Sequence, residues 1–262
     1  MRRSLIFTGC FILLTMFAVG GVKLKMETTS KSGAVTQTGW IYAEGEDHLR
    51  IDPDVNAESG ETDVSMIYRG DLETLFIVNH EEKEYMLLTR ETMEKLSVKL
   101  NQAMTDMQKQ LEQLPEAQRK IMEDMMKKNM PQQSNDFEVE VKEVGVENGL
   151  QKYEVWIGGE KRSEVWVASA ESQGLPKGSF ASFQKLSKFY EELLSPLASN
   201  PMFQSMGANP FPGFANLSGV PVRIVHLEEG RETRLSEADV ESFSSDLFSP
   251  PSGYKEMKPE LE

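Results

Sequence analysis

The sequence predicts an α+β protein: a strongly curved antiparallel sheet of about ten strands, an incomplete β-barrel, closed on one side by a helical lid. Three observations carry that expectation. From Val22 to Leu88 apolar residues alternate with polar ones at period two; the pieces joining these runs are short and turn-rich; and the period becomes that of a helix in only two places.

The chain opens on the short basic segment Met1-Arg2-Arg3-Ser4, and Leu5 to Val19 is a weakly polar to apolar run of 15 residues, too short to cross about 30 Å of hydrocarbon comfortably. That is the shape of a secretory signal. Small residues at Ala18-Val19-Gly20 place cleavage before Gly21, with a retained anchor as the alternative. Residues 1–20 are thus expected to be a signal peptide, 21–254 one exported domain of the periplasm or the exterior, and 255–262 a tail. Cys10 is the only cysteine and lies inside the apolar run. Phe7-Thr8-Gly9-Cys10 imitates a lipoprotein acylation box, but Phe7 stands where leucine is wanted and apolar residues follow. A cleaved chain would hold no thiol, which excludes disulfides, thiolate zinc sites and cysteine nucleophiles together.

Val22, Leu24 and Met26 alternate with Lys23, Lys25 and Glu27, describing a strand with one dry and one wet face. The pattern returns over 35–43, 48–51, 64–69, 74–78 and 85–88. Connections such as Glu44-Gly45-Glu46-Asp47 join antiparallel neighbours, and no strand leads into a phosphate loop. From Thr92 the spacing is three and four: Met93, Leu96, Leu100, Met104, Met107, Leu111 and Leu114 share one face. Pro115 breaks or restarts this helix, and Ile121, Met122, Met125 and Met126 continue the stripe to Met130-Pro131, giving a helical insertion at 92–130. Strand signals resume at 137–141, 153–157 and 164–168. A second helical insertion at 179–197 carries Phe180, Phe183, Leu186, Phe189, Tyr190 and Leu193. A proline- and glycine-broken stretch with Met202, Phe203, Met206, Phe211 and Phe214 precedes strands at 220–227, 231–236 and 240–243 and an extended piece at 248–254.

Formal charge is −14, from 28 Lys+Arg against 42 Asp+Glu, so the surface repels phosphate backbones and nucleic acid is not an expected partner. Seven of the 15 methionines fall in 92–130. Flexible thioethers suit a lipophilic cavity, but they also fill irregular core gaps, and Met104/Met107 or Met122/Met125/Met126 could hold Cu(I). Asp52, Asp54, Asn56 and Glu58 have calcium-loop spacing with Asp63 at the twelfth place, yet Ala57 stands where the turn glycine belongs; an acidic connecting loop is the expectation. His48, His80 and His226 are isolated and read as solvated; no catalytic motif and no cofactor motif is present. Trp40, Trp156 and Trp166 lie in strands, where Trp156 and Trp166 could face each other across their hairpin.

Gly39-Trp40-Ile41-Tyr42 leading to His48-Leu49-Arg50-Ile51-Asp52 resembles the LolA and LppX-type lipoprotein-localisation superfamily, and within it the bacterial domain-of-unknown-function family 4412. Leu75-Phe76-Ile77-Val78, Tyr85-Met86-Leu87-Leu88-Thr89, Glu164-Val165-Trp166-Val167-Ala168, Gly219-Val220-Pro221-Val222-Arg223 and Phe248-Ser249-Pro250-Pro251-Ser252-Gly253-Tyr254 extend the resemblance over most of 22–254. It implies a half-barrel whose hollow face is closed by helices and which, in some relatives, carries an acyl chain or lipid. The functional expectation is a non-enzymatic envelope protein that binds or transfers a lipophilic ligand, lined by Met104, Met107, Leu111, Met122, Met125, Phe183, Leu186, Phe203 and Phe211. The alternative is a scaffold or interaction domain with a collapsed cavity, engaging an envelope protein. Oligomeric state is not read from the sequence.

Overall fold

Twelve strands form one open sheet in the computed structural model, which describes residues 20–55, 59–112, 114–116, 118–120, 139–194 and 213–257, with backbone alone for Leu100, Met104, Gln108 and Leu194. The strands are β1 (Gly21–Thr29), β2 (Val35–Glu44), β3 (His48–Asp52), β4 (Val64–Arg69), β5 (Thr74–Asn79), β6 (Glu84–Thr89), β7 (Val139–Glu147), β8 (Leu150–Ile157), β9 (Glu160–Ala168), β10 (Val220–His226), β11 (Arg231–Glu241) and β12 (Lys255–Met257). Their spatial order is β12-β6-β5-β4-β3-β2-β1-β11-β10-β9-β8-β7. Every neighbouring pair is antiparallel except β12 with β6. Helices α1 (Arg90–Glu112) and α2 (Ala181–Leu194) follow β6 and β9.

The count of about ten strands is corrected to twelve, and two local readings change with it. The segments expected as separate strands at 231–236 and 240–243 belong to one strand, β11. Its pairing with β1 shifts between Lys25 and Met26, which face Glu237 and Leu235 and leave Ser236 as an extra residue. Such a bulge throws the apolar alternation out of phase and imitates a break. Within the expected tail, Lys255–Met257 is a strand: three residues, two of them charged, carry no periodic signal, and pairing with β6 alone makes them extended. The Trp pair is also corrected, because Trp166 opposes Lys152 and Trp156 opposes Lys161. Each indole lies under a cation instead, Lys142 at 4.2 Å from Trp156 and Lys152 at 4.6 Å from Trp166.

Alternation sorts the strands onto two faces. Inward side chains include Val22, Leu24, Ala43, Leu49, Tyr68, Leu75, Val155, Val165 and Val167, and they join Phe183, Leu186, Phe189, Tyr190 and Leu193 of α2 in one buried cluster. Strands β5 and β8 stand eight places apart in the sheet, about 38 Å if it were flat at ~4.8 Å per strand. Phe189 of α2 lies 5.4 Å from Tyr68 of β4, while Phe183 on the same helix borders one hollow with Ile157 of β8, and one helix about 10 Å across reaches both only if the sheet bends around it. The two edges, β12 and β7, do not pair, so the sheet stays open. On the outer face a smaller cluster of Ile67, Val78 and Phe248 is flanked by Tyr42, Phe76, Tyr85 and Phe243.

Helix α1 starts on a reciprocal cap: Thr89 Oγ1 accepts from the Thr92 amide at 3.2 Å, and Thr92 Oγ1 accepts from the Thr89 amide at 2.8 Å. Past its end the Arg119 amide donates to the Pro115 carbonyl at 3.0 Å, a new helical turn beginning at the proline. Charge fixes α2 at both ends. Lys185 reaches Glu46 and Asp47 in the β2–β3 turn at 3.0 and 3.1 Å, and Glu192 pairs with Arg90 of α1 at 2.6 Å. No helix among the described residues is long and apolar enough to cross a membrane.

Candidate functional site

The bend of the sheet leaves a hollow that α2 does not fill. It has a volume of about 560 Å³ and lies between β1, β2, β8, β9, β10 and β11 on one side and Phe180, Phe183 and Phe214 on the other. Phe180 and Phe183 stack with ring centres 4.8 Å apart, and Phe214 stands 6.4 Å from Phe180, so three aromatic rings roof the hollow. Phe214 is delivered by a 3-10 turn between two glycines, both at positive φ. A side chain at Gly213 would run into Val141, and one at Gly219 into the Ala168 carbonyl, so neither position admits another residue without rearrangement.

Strand register gives the hollow two chemically different ends. On β1 the inward residues run Leu24, Met26, Thr28; on β10 they run from Val220 through Ile224 to His226. Strand β11 enters antiparallel to both, placing Thr233 opposite Thr28 and Arg231 opposite His226. Apolar side chains therefore meet at one end and polar ones at the other. At the polar end Thr28 Oγ1 and Thr233 Oγ1 are 2.9 Å apart, and His226 Nε2 lies 3.3 Å from Thr233 Oγ1. Burial pushes the His226 imidazole below its ordinary pKa, which keeps it neutral. Two arginines line this end, each with carboxylates outside the lining: Arg162 with Glu160 and Glu228 at 3.0 and 2.7 Å, and Arg231 with Glu229.

Of the residues named from the sequence, Phe183 lines the hollow. Leu186 is buried in the main core beneath α2, Leu111 is buried near the end of α1, and Met107 is half-buried there. Met104 is described only by its backbone, and Met122, Met125, Phe203 and Phe211 lie outside the described residues, as does Met126. No described side chain of α1 borders the hollow, and the one methionine of its described lining is Met26 of β1. The sequence singles out His226 only as a solvated histidine and does not single out Thr28, Arg231 or Thr233. Their local signal is slight: each occupies a dry-face position of a strand, and only cross-strand register brings them together.

A second polar assembly sits on the outer face. Arg50 Nε donates to Asp52 Oδ1 at 2.9 Å, Ser65 Oγ donates to the same oxygen at 2.5 Å, and Arg50 Nη2 donates to Ser65 Oγ at 3.0 Å. His80 Nε2 lies 2.8 Å from Ser65 Oγ, and its Nδ1 lies 3.1 Å from the Tyr254 hydroxyl. A concavity of about 630 Å³ opens beside them, larger than the inner hollow but walled by Glu61, Asp63 and Glu81 as well. The inner hollow is the candidate site, because apolar side chains dominate its described lining, whereas the outer concavity is walled by carboxylates and its Ser65 is fully buried. Asp52 is held by Arg50 and Ser65, and no group of three or more His, Cys, Asp or Glu placed to hold a metal occurs among the described residues. The histidines are not simply solvated: His48 stacks on Phe248 at 5.3 Å, His80 joins the outer assembly and His226 borders the hollow.

No family model matches this chain, and no curated protein matches it. Among solved structures, PNGF-II in a C2 crystal form aligns with a TM-score of 0.30 at 8% identity, over 92% of this chain and 31% of that one. The chain thus spans about a third of the length of that neighbour. A LolA superfamily protein from Nitrosomonas europaea aligns with a TM-score of 0.30 at 9% identity, over 88% of this chain and 89% of that one. The second comes from the superfamily that the strand motifs resemble; at this score neither likeness carries an argument.

Proposed function

We propose that this protein is an exported, non-enzymatic carrier that binds a lipophilic molecule in the hollow between the bent sheet and α2. One observation carries the reading: a space of about 560 Å³ lined by Leu24, Ile41, Phe180, Phe183, Phe214 and Ile224 beside the buried core. That volume falls in the range of about 300–1,000 Å³ that accommodates small ligands. Close packing would have supported the scaffold reading; the hollow supports carriage. Membership of the LolA-like superfamily and its family 4412 branch belongs to the same proposal and rests on the ordered strand motifs.

Burial, rather than any covalent step, would supply the binding energy, at about 0.8 kcal/mol per methylene taken from water. Affinity for a homologous series of alkyl ligands should therefore rise roughly four-fold per added methylene until the hollow is full. Native mass spectrometry of protein from its own envelope, with titration of a fluorescent fatty acid, tests this. A co-purifying lipid and saturable uptake, blocked by Ile224→Trp, are expected. A bare mass with no uptake overturns the proposal.

A further inference from the structure

We infer that the ligand is a single-tailed amphiphile with an anionic head, lying with its tail beneath the three phenylalanines and its head against Arg231. This deepens the carrier reading and rests on it. In a chain carrying 42 acidic residues, the described lining of the hollow includes Arg162 and Arg231 and not one Asp or Glu. The two arginines are confined to one end. Arg231 opposes His226 in register, His226 opposes Ser163, and Arg162 is the next residue along β9. Thr28, Thr233 and Ser163 add hydroxyl groups beside them, the complement that a carboxylate or phosphate oxygen requires.

The other end sets the tail. From Thr28 to Leu24 strand β1 covers about 13 Å at ~3.3 Å per residue, and its inward side chains change from hydroxyl to thioether to alkyl over that distance. A ligand apolar throughout would leave Arg231 and the threonines facing hydrocarbon, which burial penalises. A cationic head would meet two guanidinium groups. An anion instead takes a share of the Arg231 guanidinium, whose present partner Glu229 lies in the β10–β11 turn, outside the lining.

The test is titration of the full chain at pH 8 with a long-chain fatty acid, the primary alcohol and the alkyltrimethylammonium of equal carbon number. The fatty acid should bind about ten-fold more tightly than the alcohol at low salt, with the margin narrowing as salt is raised. Arg231→Gln should remove that margin, with an unchanged dichroism spectrum certifying that the variant is folded. Glu229→Gln, which frees the guanidinium, should widen it. Equal binding of acid and alcohol, a preference for the ammonium, or an unaltered margin in Arg231→Gln overturns the inference and leaves the carrier reading standing. If none of the three amphiphiles binds, the carrier reading itself fails.

Discussion

Ser65 is wholly buried between an acid and an imidazole, and its single hydroxyl proton fixes the state of the whole outer assembly. Donated to Asp52 at 2.5 Å, that proton leaves Ser65 Oγ to accept from Arg50 and from His80 Nε2, so that His80 Nδ1 accepts from Tyr254. With His80 neutral, every member of the assembly is satisfied. Ser65→Ala strands Arg50 and His80 donors together, and a loss of about 1–3 kcal/mol in urea unfolding is expected. The histidines add a pH dependence of definite sign. Burial first, and the Arg50 charge second, hold the His80 pKa below its ordinary value; burial lowers that of His226. The unfolded chain therefore takes up these protons first as pH falls, so the stabilisation is complete above about pH 6.5 and is lost progressively below it. Thermal melts at pH 7.5 and 5.5 should show a drop in Tm that is smaller in His80→Gln; an equal drop in both proteins contradicts the assignment.

Between β11 and β12 the chain is pinned to the outer face by one short element, the 3-10 turn Ser245–Phe248. Phe248 is 1% exposed, stacks on His48 and meets Phe243 edge-on at 6.1 Å. Phe248→Ala should cost about 3–5 kcal/mol, read as a lower urea midpoint at nearly constant m, because the ring fills the centre of the outer cluster. An effect below about 1 kcal/mol would mean that the outer cluster contributes little. This element also shows what the sequence makes legible. Period-two alternation located β1 to β6, where one face is dry and the other wet, and the three-and-four spacing located α1 and α2. Phe248 reads only as part of an extended piece, since a lone buried ring has no period, and β12 has no pattern of its own. The hollow was foreseen as a kind of place, apolar and beneath a helix. The sequence points for its lining to the methionines of 92–130 with Leu111, Phe183, Leu186, Phe203 and Phe211; of these Phe183 is in the described lining, which otherwise comes mostly from β-strand residues that register brings together. Local composition marks a helix face well, but it carries no information on which strand ends will meet.

At the scale of the molecule, the decisive feature is that one core serves both ends of a twelve-stranded open sheet. Leu49 and Leu75 on one side and Val155 and Val165 on the other share a cluster with Leu186 and Leu193 of α2, so neither side keeps a complete core without the helix. Strand β1 pairs with β2 and β11 along its length, which joins the sides through backbone hydrogen bonds as well. Unfolding should accordingly be one cooperative step, in spite of a sheet wide enough for two small domains. The tryptophans report on this separately, because Trp40 lies on β2 while Trp156 and Trp166 lie on β8 and β9. All three stand on the outer face beside cations, with Lys23 at 4.5 Å from the Trp40 ring, so exchange for Phe should disturb the inner core little. Urea titration of Trp40→Phe reads the β8–β9 side, and titration of the Trp156→Phe, Trp166→Phe double variant reads the β2 side. The two midpoints should agree with each other and with the loss of far-ultraviolet dichroism, each corrected by its variant's own dichroism midpoint. Leu186→Ala, expected to cost about 2–5 kcal/mol, should lower both fluorescence midpoints together. Midpoints that separate, or a Leu186→Ala shift confined to one reporter, would mean that the sheet holds two independent halves and that α2 belongs to only one of them.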